Sequence, residues 1–75
     1  MNNLLTATSS VAELALLLDA RQLRLTMLHR KGGLWHARAV TIGAWAYEGV
    51  ASEPYQAINE AIELAEMAAR TVGAQ

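Results

Sequence analysis

The spacing of hydrophobic positions changes repeatedly along these 75 residues. Residues 1–8 show no period and read as a loose polar arm before a single domain over residues 9–75. Val11, Leu14, Leu17 and Leu18 then recur at helical spacing up to about Ala20, with Ser9 or Ser10 placed to cap that helix. Leu16 and Ala20 lie off the stripe, so little of this helix prefers water, and packing on several sides is expected. From Gln22 the period becomes two. Leu23, Leu25 and Met27 alternate with Arg24 and Thr26, as a half-buried strand requires. Gly32-Gly33 is a hairpin signal, because both central residues of a tight primed turn need positive φ.

A two-residue loop there pairs Met27 with Arg38, Leu25 with Val40 and Leu23 with Ile42. That register gathers Leu23, Leu25, Met27, Val40 and Ile42 on one face as a candidate core. The opposite face carries Arg24, Thr26, Leu28, Arg30, Trp35, Ala37, Ala39 and Thr41. A three-residue loop exchanges the faces of one strand. Gly43 marks a bend or bulge, and Ala44 to Glu48 reads as a third strand with Trp45 and Tyr47 on one side.

Ser52 is a cap and Pro54 suits the first turn of a last helix that runs to about Val72, with Gly73 as its stop. Tyr55, Ile58, Ala61, Ile62, Ala65, Ala69 and Val72 form its apolar stripe, widened by Ala57, Leu64 and Ala68. Covering a sheet needs an apolar arc of about 100°. The surplus predicts a second contact, to the first helix or to another subunit, with Leu64 and Met67 as subunit contacts. Asn59, Glu60, Glu63 and Glu66 are expected to face outward, with Glu66 and Arg70 at i,i+4 spacing for an ion pair. The expected fold is α+β: a three-stranded antiparallel sheet between a short N-terminal helix and a long C-terminal one, in the order α-β-β-β-α.

Composition sharpens the expectation of a partner. A core of this size supplies roughly 3–5 kcal/mol net, and without cysteine there is no disulfide or thiolate-metal staple. Hydrophobic residues make up 53% and charged ones 17%, which leaves apolar surface for a homo-oligomer, most simply a dimer, or another protein. No basic leader and no run of about 20 apolar residues occurs, so a cytoplasmic chain with no membrane role is expected. Charge is segregated: Arg21, Arg24, Arg30, Lys31 and Arg38 come before Glu48, Glu53, Glu60, Glu63 and Glu66. The fold should have a basic strand region and an acidic helix.

Catalytic chemistry finds little footing. There is no Gly-x-Ser-x-Gly elbow, and the serines fall in the arm or at caps. Glu60 and Glu63 read as a solvated face, Lys31-Gly32-Gly33 as a turn, and neither a metal nor a cofactor is expected. His29 and His36 lie opposite each other across the hairpin, where exposed imidazoles are the simpler reading than a shared metal or proton. The basic hairpin with Trp35 suits phosphates and base stacking.

Trp35-x-Ala37-x-Ala39, followed by Gly43, Gly49, Ser52 and the helix, resembles the double-stranded-RNA-binding domain from its second strand to its last helix. The resemblance implies the α-β-β-β-α topology. That family grips phosphates with a Lys-Lys-x-Ala-Lys run at the start of the helix. The matching positions here are Ser52-Glu53-Pro54-Tyr55-Gln56-Ala57, acidic and without lysine, which argues against the RNA role. Tyr47-x-Gly49 with Ala57-Ile58-x-x-Ala61-Ile62 is also similar to HicB-type antitoxins and to small phage inhibitors of bacterial defence, anti-CRISPR proteins among them.

The expected function is a non-enzymatic protein-binding module that occludes a surface of a bacterial host complex. Arg24, Arg30, Lys31, Trp35, Arg38, Trp45 and Tyr47 are its expected contact residues, because arginine and aromatic side chains dominate interface energetics. A nucleic-acid-binding regulator using the basic hairpin is the alternative, and a structural subunit of a larger assembly a third reading.

Overall fold

The computed structural model describes residues 5–6 and 10–73, and the order is α1 (Val11–Ala20), β1 (Leu23–Lys31), β2 (Leu34–Thr41), β3 (Ala46–Ala51) and α2 (Pro54–Gly73). The strands form one antiparallel sheet in the order β1-β2-β3. This is the expected α+β fold.

A capping box starts α1. Ser10 Oγ accepts from the Glu13 N–H at 3.1 Å, and Glu13 Oε1 accepts from the Ser10 N–H at 2.8 Å. At the other end Gln22 takes a left-handed φ of 56° and turns the chain into β1. α2 starts one residue later than a Ser52 cap implies: Ala57 N–H donates to the Glu53 carbonyl, leaving Pro54 as the first helical residue.

The sheet presents the other face of β2 from the one its bulk suggests. Lys31↔Leu34, Arg30↔Trp35, His29↔His36, Leu28↔Ala37 and Met27↔Arg38 pair as a two-residue loop requires. Both turn glycines, Gly32 and Gly33, have positive φ. A bulge between Leu25 and Met27 then shifts the register, so Leu25 meets Ala39, Arg24 meets Val40 and Leu23 meets Thr41. The helix-side face therefore holds Leu23, Leu25, Leu28, Arg30, Trp35, Ala37, Ala39, Tyr47, Gly49 and Ala51. Val40 and Met27 sit half-buried on the opposite face, and Ile42 is 77% exposed. β3 also begins later than Ala44, so Trp45 lies in the preceding loop and Tyr47 lies on the helix side of the strand.

Small residues select that face. A Cβ built on Gly49 would collide with the Ala57 carbonyl oxygen, lie 2.5 Å from Ala61 N and 2.9 Å from Glu60 Cβ. The α2 backbone thus rests directly on β3, and Ala37, Ala39, Ala57 and Ala61 are fully buried around the contact. Val40 and Ile42 in those positions would hold the helix off. Ile58, Ile62 and Ala65 turn toward Leu17, Leu18 and Leu23, so both helices share one core on one side of the sheet.

Two polar ties deserve the name of staples. Asn59 does not face water: its Oδ1 accepts from the Leu5 N–H at 2.9 Å and its Nδ2 donates to the Leu5 carbonyl at 2.7 Å. Leu5 is buried in the core, so this part of the expected arm is docked; residues 1–4 and 7–9 lie outside the described residues. Glu66 pairs with Arg21 at the end of α1, not with Arg70.

Gly49→Ala is expected to cost about 3 kcal/mol of unfolding free energy, because the collision is with backbone that cannot rotate away. Urea denaturation of the variant beside the parent chain measures it.

Candidate functional site

With α1 and α2 on one side of the sheet, its other face has no covering element among the described residues. The pairing places Arg24, Val40 and Ala46 in one row across the strands, then Met27, Arg38 and Glu48, then His29, His36 and Val50, then Lys31 and Leu34. Met27, His36, Val40 and Val50 are half-buried and form a floor; Arg24 and Lys31 stand exposed along its β1 side and Arg38 rises exposed from the central strand. Three bases thus share this face with one acid, Glu48. That acid lies 3.3 Å from His36 Nδ1 through its Oε2. His29 and His36 stack with ring centroids 5.2 Å apart and planes 9° from parallel. Parallel stacked rings do not converge on a point between them, and among the described residues no three His, Asp or Glu side chains group around a metal position.

The acids of α2, and Glu53 just before it, lie on the other side. Glu53 and Glu63 are exposed there, Glu66 holds Arg21, and Glu60 reaches the sheet's β3 edge. Glu60 is exposed as expected, and its Oε1 also accepts from the Val50 N–H at 2.8 Å, capping one donor of the edge strand. The close approach at Gly49 brings Glu60 within this reach.

One end of the open face is built by the β2–β3 loop. Thr41 N–H donates to the Trp45 carbonyl at 2.9 Å, Ala44 N–H to the Thr41 carbonyl at 2.9 Å, and Trp45 N–H to Thr41 Oγ1 at 3.2 Å. These bonds hold Ala44 at a left-handed φ of 69°, a conformation that costs an alanine about 1–2 kcal/mol. The hydrogen-bonded loop projects two large apolar side chains, Ile42 and the 69% exposed Trp45, into solvent. Beside them a solvent-open cleft of about 520 Å³ is lined by Asp19, Gln22, Leu23, Arg24, Val40, Thr41 and Ile42.

The expected contact residues are therefore split. Arg24, Lys31 and Arg38 lie together on the open face, and Trp45 stands exposed in the β2–β3 loop beyond the strands. Arg30, Trp35 and Tyr47 belong to the helix side, where Trp35 and Tyr47 pack against the core. Leu64 and Met67 are exposed on α2. They follow Glu60 at helical i+4 and i+7 spacing, on the flank above the β3 edge. The sequence reading missed Met27, Val40, Val50 and Ile42 as surface residues. A bulge at Thr26 was the signal needed, and nothing in the local alternation announces it.

No family model matches the chain, and no curated protein or solved structure matches it significantly. No helix among the described residues is long and apolar enough to cross a membrane.

Trp45→Ala is expected to leave stability within about 0.5 kcal/mol of the parent, since the indole is mostly in water. Thr41→Val, which removes the acceptor for the Trp45 N–H, is expected to cost about 1 kcal/mol. Thermal unfolding of both variants checks the contrast.

Proposed function

We propose that the chain is a non-enzymatic protein-binding module that covers an acidic surface of its partner with the open face of its sheet. The observation that carries the reading is the make-up of that face. An apolar floor of Met27, Val40 and Val50 carries Arg38 at its centre and Arg24 and Lys31 along the β1 side, and beyond it the hydrogen-bonded β2–β3 loop exposes Trp45 and Ile42. Buried apolar contact beside a few arginine and aromatic anchors is how interfaces gain affinity, while bases around the rim set approach and register. The resemblance to small phage inhibitors fits a module of this kind, whose action is to occlude a surface of a bacterial complex.

A nucleic-acid partner is the second reading, favoured by one observation: the acids of α2 lie across the sheet from the bases, so they do not oppose a polyanion on the open face. Against it stands Trp35, the aromatic that was to stack on bases, which packs on the helix side. The first turn of α2 has no base to hold phosphate.

The experiment is capture on the immobilised chain from a bacterial lysate, with mass spectrometry of what is retained. Arg38→Glu and Trp45→Ala are expected each to lower recovery of the specific partner about tenfold or more, and Glu63→Lys on the helix side to leave it unchanged. Equal recovery with all three variants sinks the proposal. A gel shift with an oligonucleotide at low salt that vanishes in Arg38→Glu would establish the second reading in its place.

We also propose that the apolar flank of Leu64 and Met67 joins two copies. Light scattering is expected to give the mass of a dimer for the parent and of a monomer for Leu64→Glu; a monodisperse monomer from the parent chain excludes it.

A further inference from the structure

The two edges of the sheet differ. On β3, Glu60 occupies the Val50 N–H and α2 overhangs the strand. The opposite edge belongs to β1, the longest strand, and no strand pairs with it among the described residues. α1 packs Leu17 and Leu18 with Leu23 at the start of β1, whereas Leu28, His29, Arg30 and Lys31 are all exposed. In a two-residue hairpin the residues flanking the turn bond to each other. Lys31, His29 and Met27 therefore turn their backbone groups to β2, and Leu28 and Arg30 turn theirs outward. The bulge at Thr26 ends this straight stretch.

The side chains decide what can pair there. β1 carries Arg24, His29, Arg30 and Lys31 and no carboxylate. Two copies joined through this edge would bring two strands of the same sign side by side, which opposes self-pairing. The same charges favour a strand of opposite sign.

We propose that the free edge of β1, from Met27 to Lys31, docks an extended acidic segment of a partner protein, which adds to the sheet as a further antiparallel strand. Main-chain bonds to Leu28 and Arg30 supply the pairing. Carboxylates on the segment's open-face side meet Lys31 and His29, and its apolar residues on the other side lie beside the 40% exposed Leu28. This rests on the acidic-partner reading above and adds to it the segment's conformation and its place on the sheet.

The test uses the full chain and a fluorescent peptide of alternating glutamate and valine, followed by anisotropy at low salt and by amide hydrogen exchange. The acidic peptide is expected to bind, and exchange of the Leu28 and Arg30 amides to slow when it does. N-methylation of alternate peptide nitrogens, which removes donors and keeps every charge, is expected to weaken binding about tenfold or more. A lysine-valine peptide is expected not to bind. If the N-methylated peptide binds as well as its parent, or the Leu28 and Arg30 amides are unaffected, edge pairing is overturned while the acidic-partner reading stands. If the lysine peptide binds equally, or only an oligonucleotide binds, both are overturned.

Discussion

α2 can lie on this sheet only because Gly49 has no side chain. The Ala57 carbonyl and the Ala61 nitrogen occupy the space a Cβ would need, so helix backbone and strand backbone are in direct contact. Everything around that point is small: Ala37 and Ala39 on the neighbouring strand, Ala57 and Ala61 on the helix, all without exposed surface. The large residues are displaced to the flank, where Ile58 and Ile62 meet Leu17, Leu18, Leu23 and Leu5. The same approach brings the Glu60 carboxylate to the Val50 N–H, so one close contact fixes the face of the sheet, the position of the core and the closure of an edge.

It also separates the charges. Because α2 claims the alanine face, its glutamates point away from the side that carries Arg24, Lys31 and Arg38. Net charge is −1, yet the molecule presents a basic plate on one side and an acidic helix on the other. Net charge alone would have described a nearly neutral protein; the fold turns it into one with a direction.

The architecture was legible in the sequence to the level of element order, and the hairpin turn at Gly32-Gly33 to the residue. Periodicity announces helices, and paired glycines announce a primed turn, because both are local. What failed was the choice of face. Counting bulk along β2 selects Val40 and Ile42, but a helix seated on glycine prefers Ala37 and Ala39, and that preference arises from a contact with residues 57–61. The bulge at Thr26 has the same origin: Leu23 and Leu25 turn to the helix side because the core requires it, and β1 takes up the mismatch. Of the candidate site, the bases of β1 and β2 were legible as a group. Arg30 and Trp35 were expected on the face away from the core, and it is that face, with Tyr47, that the helices cover. Asn59 looked solvated since helical spacing alone cannot reveal a docked Leu5 within reach, and the same spacing does not show that the exposed Glu60 also reaches a strand edge.

The long-range reach of α2 bears on the order in which the protein can be completed. Leu5 bonds to Asn59 across 54 positions of chain, and the sheet's alanine face is covered by residues synthesised after every strand. A ribosome therefore releases α1 and the hairpin before the segment that can bury their apolar side exists. Until residues 57–65 of α2 emerge, that side is open to whatever else is nearby. The exposed bases of β1, a strand of one sign, are then the chain's protection against its own siblings on the same message.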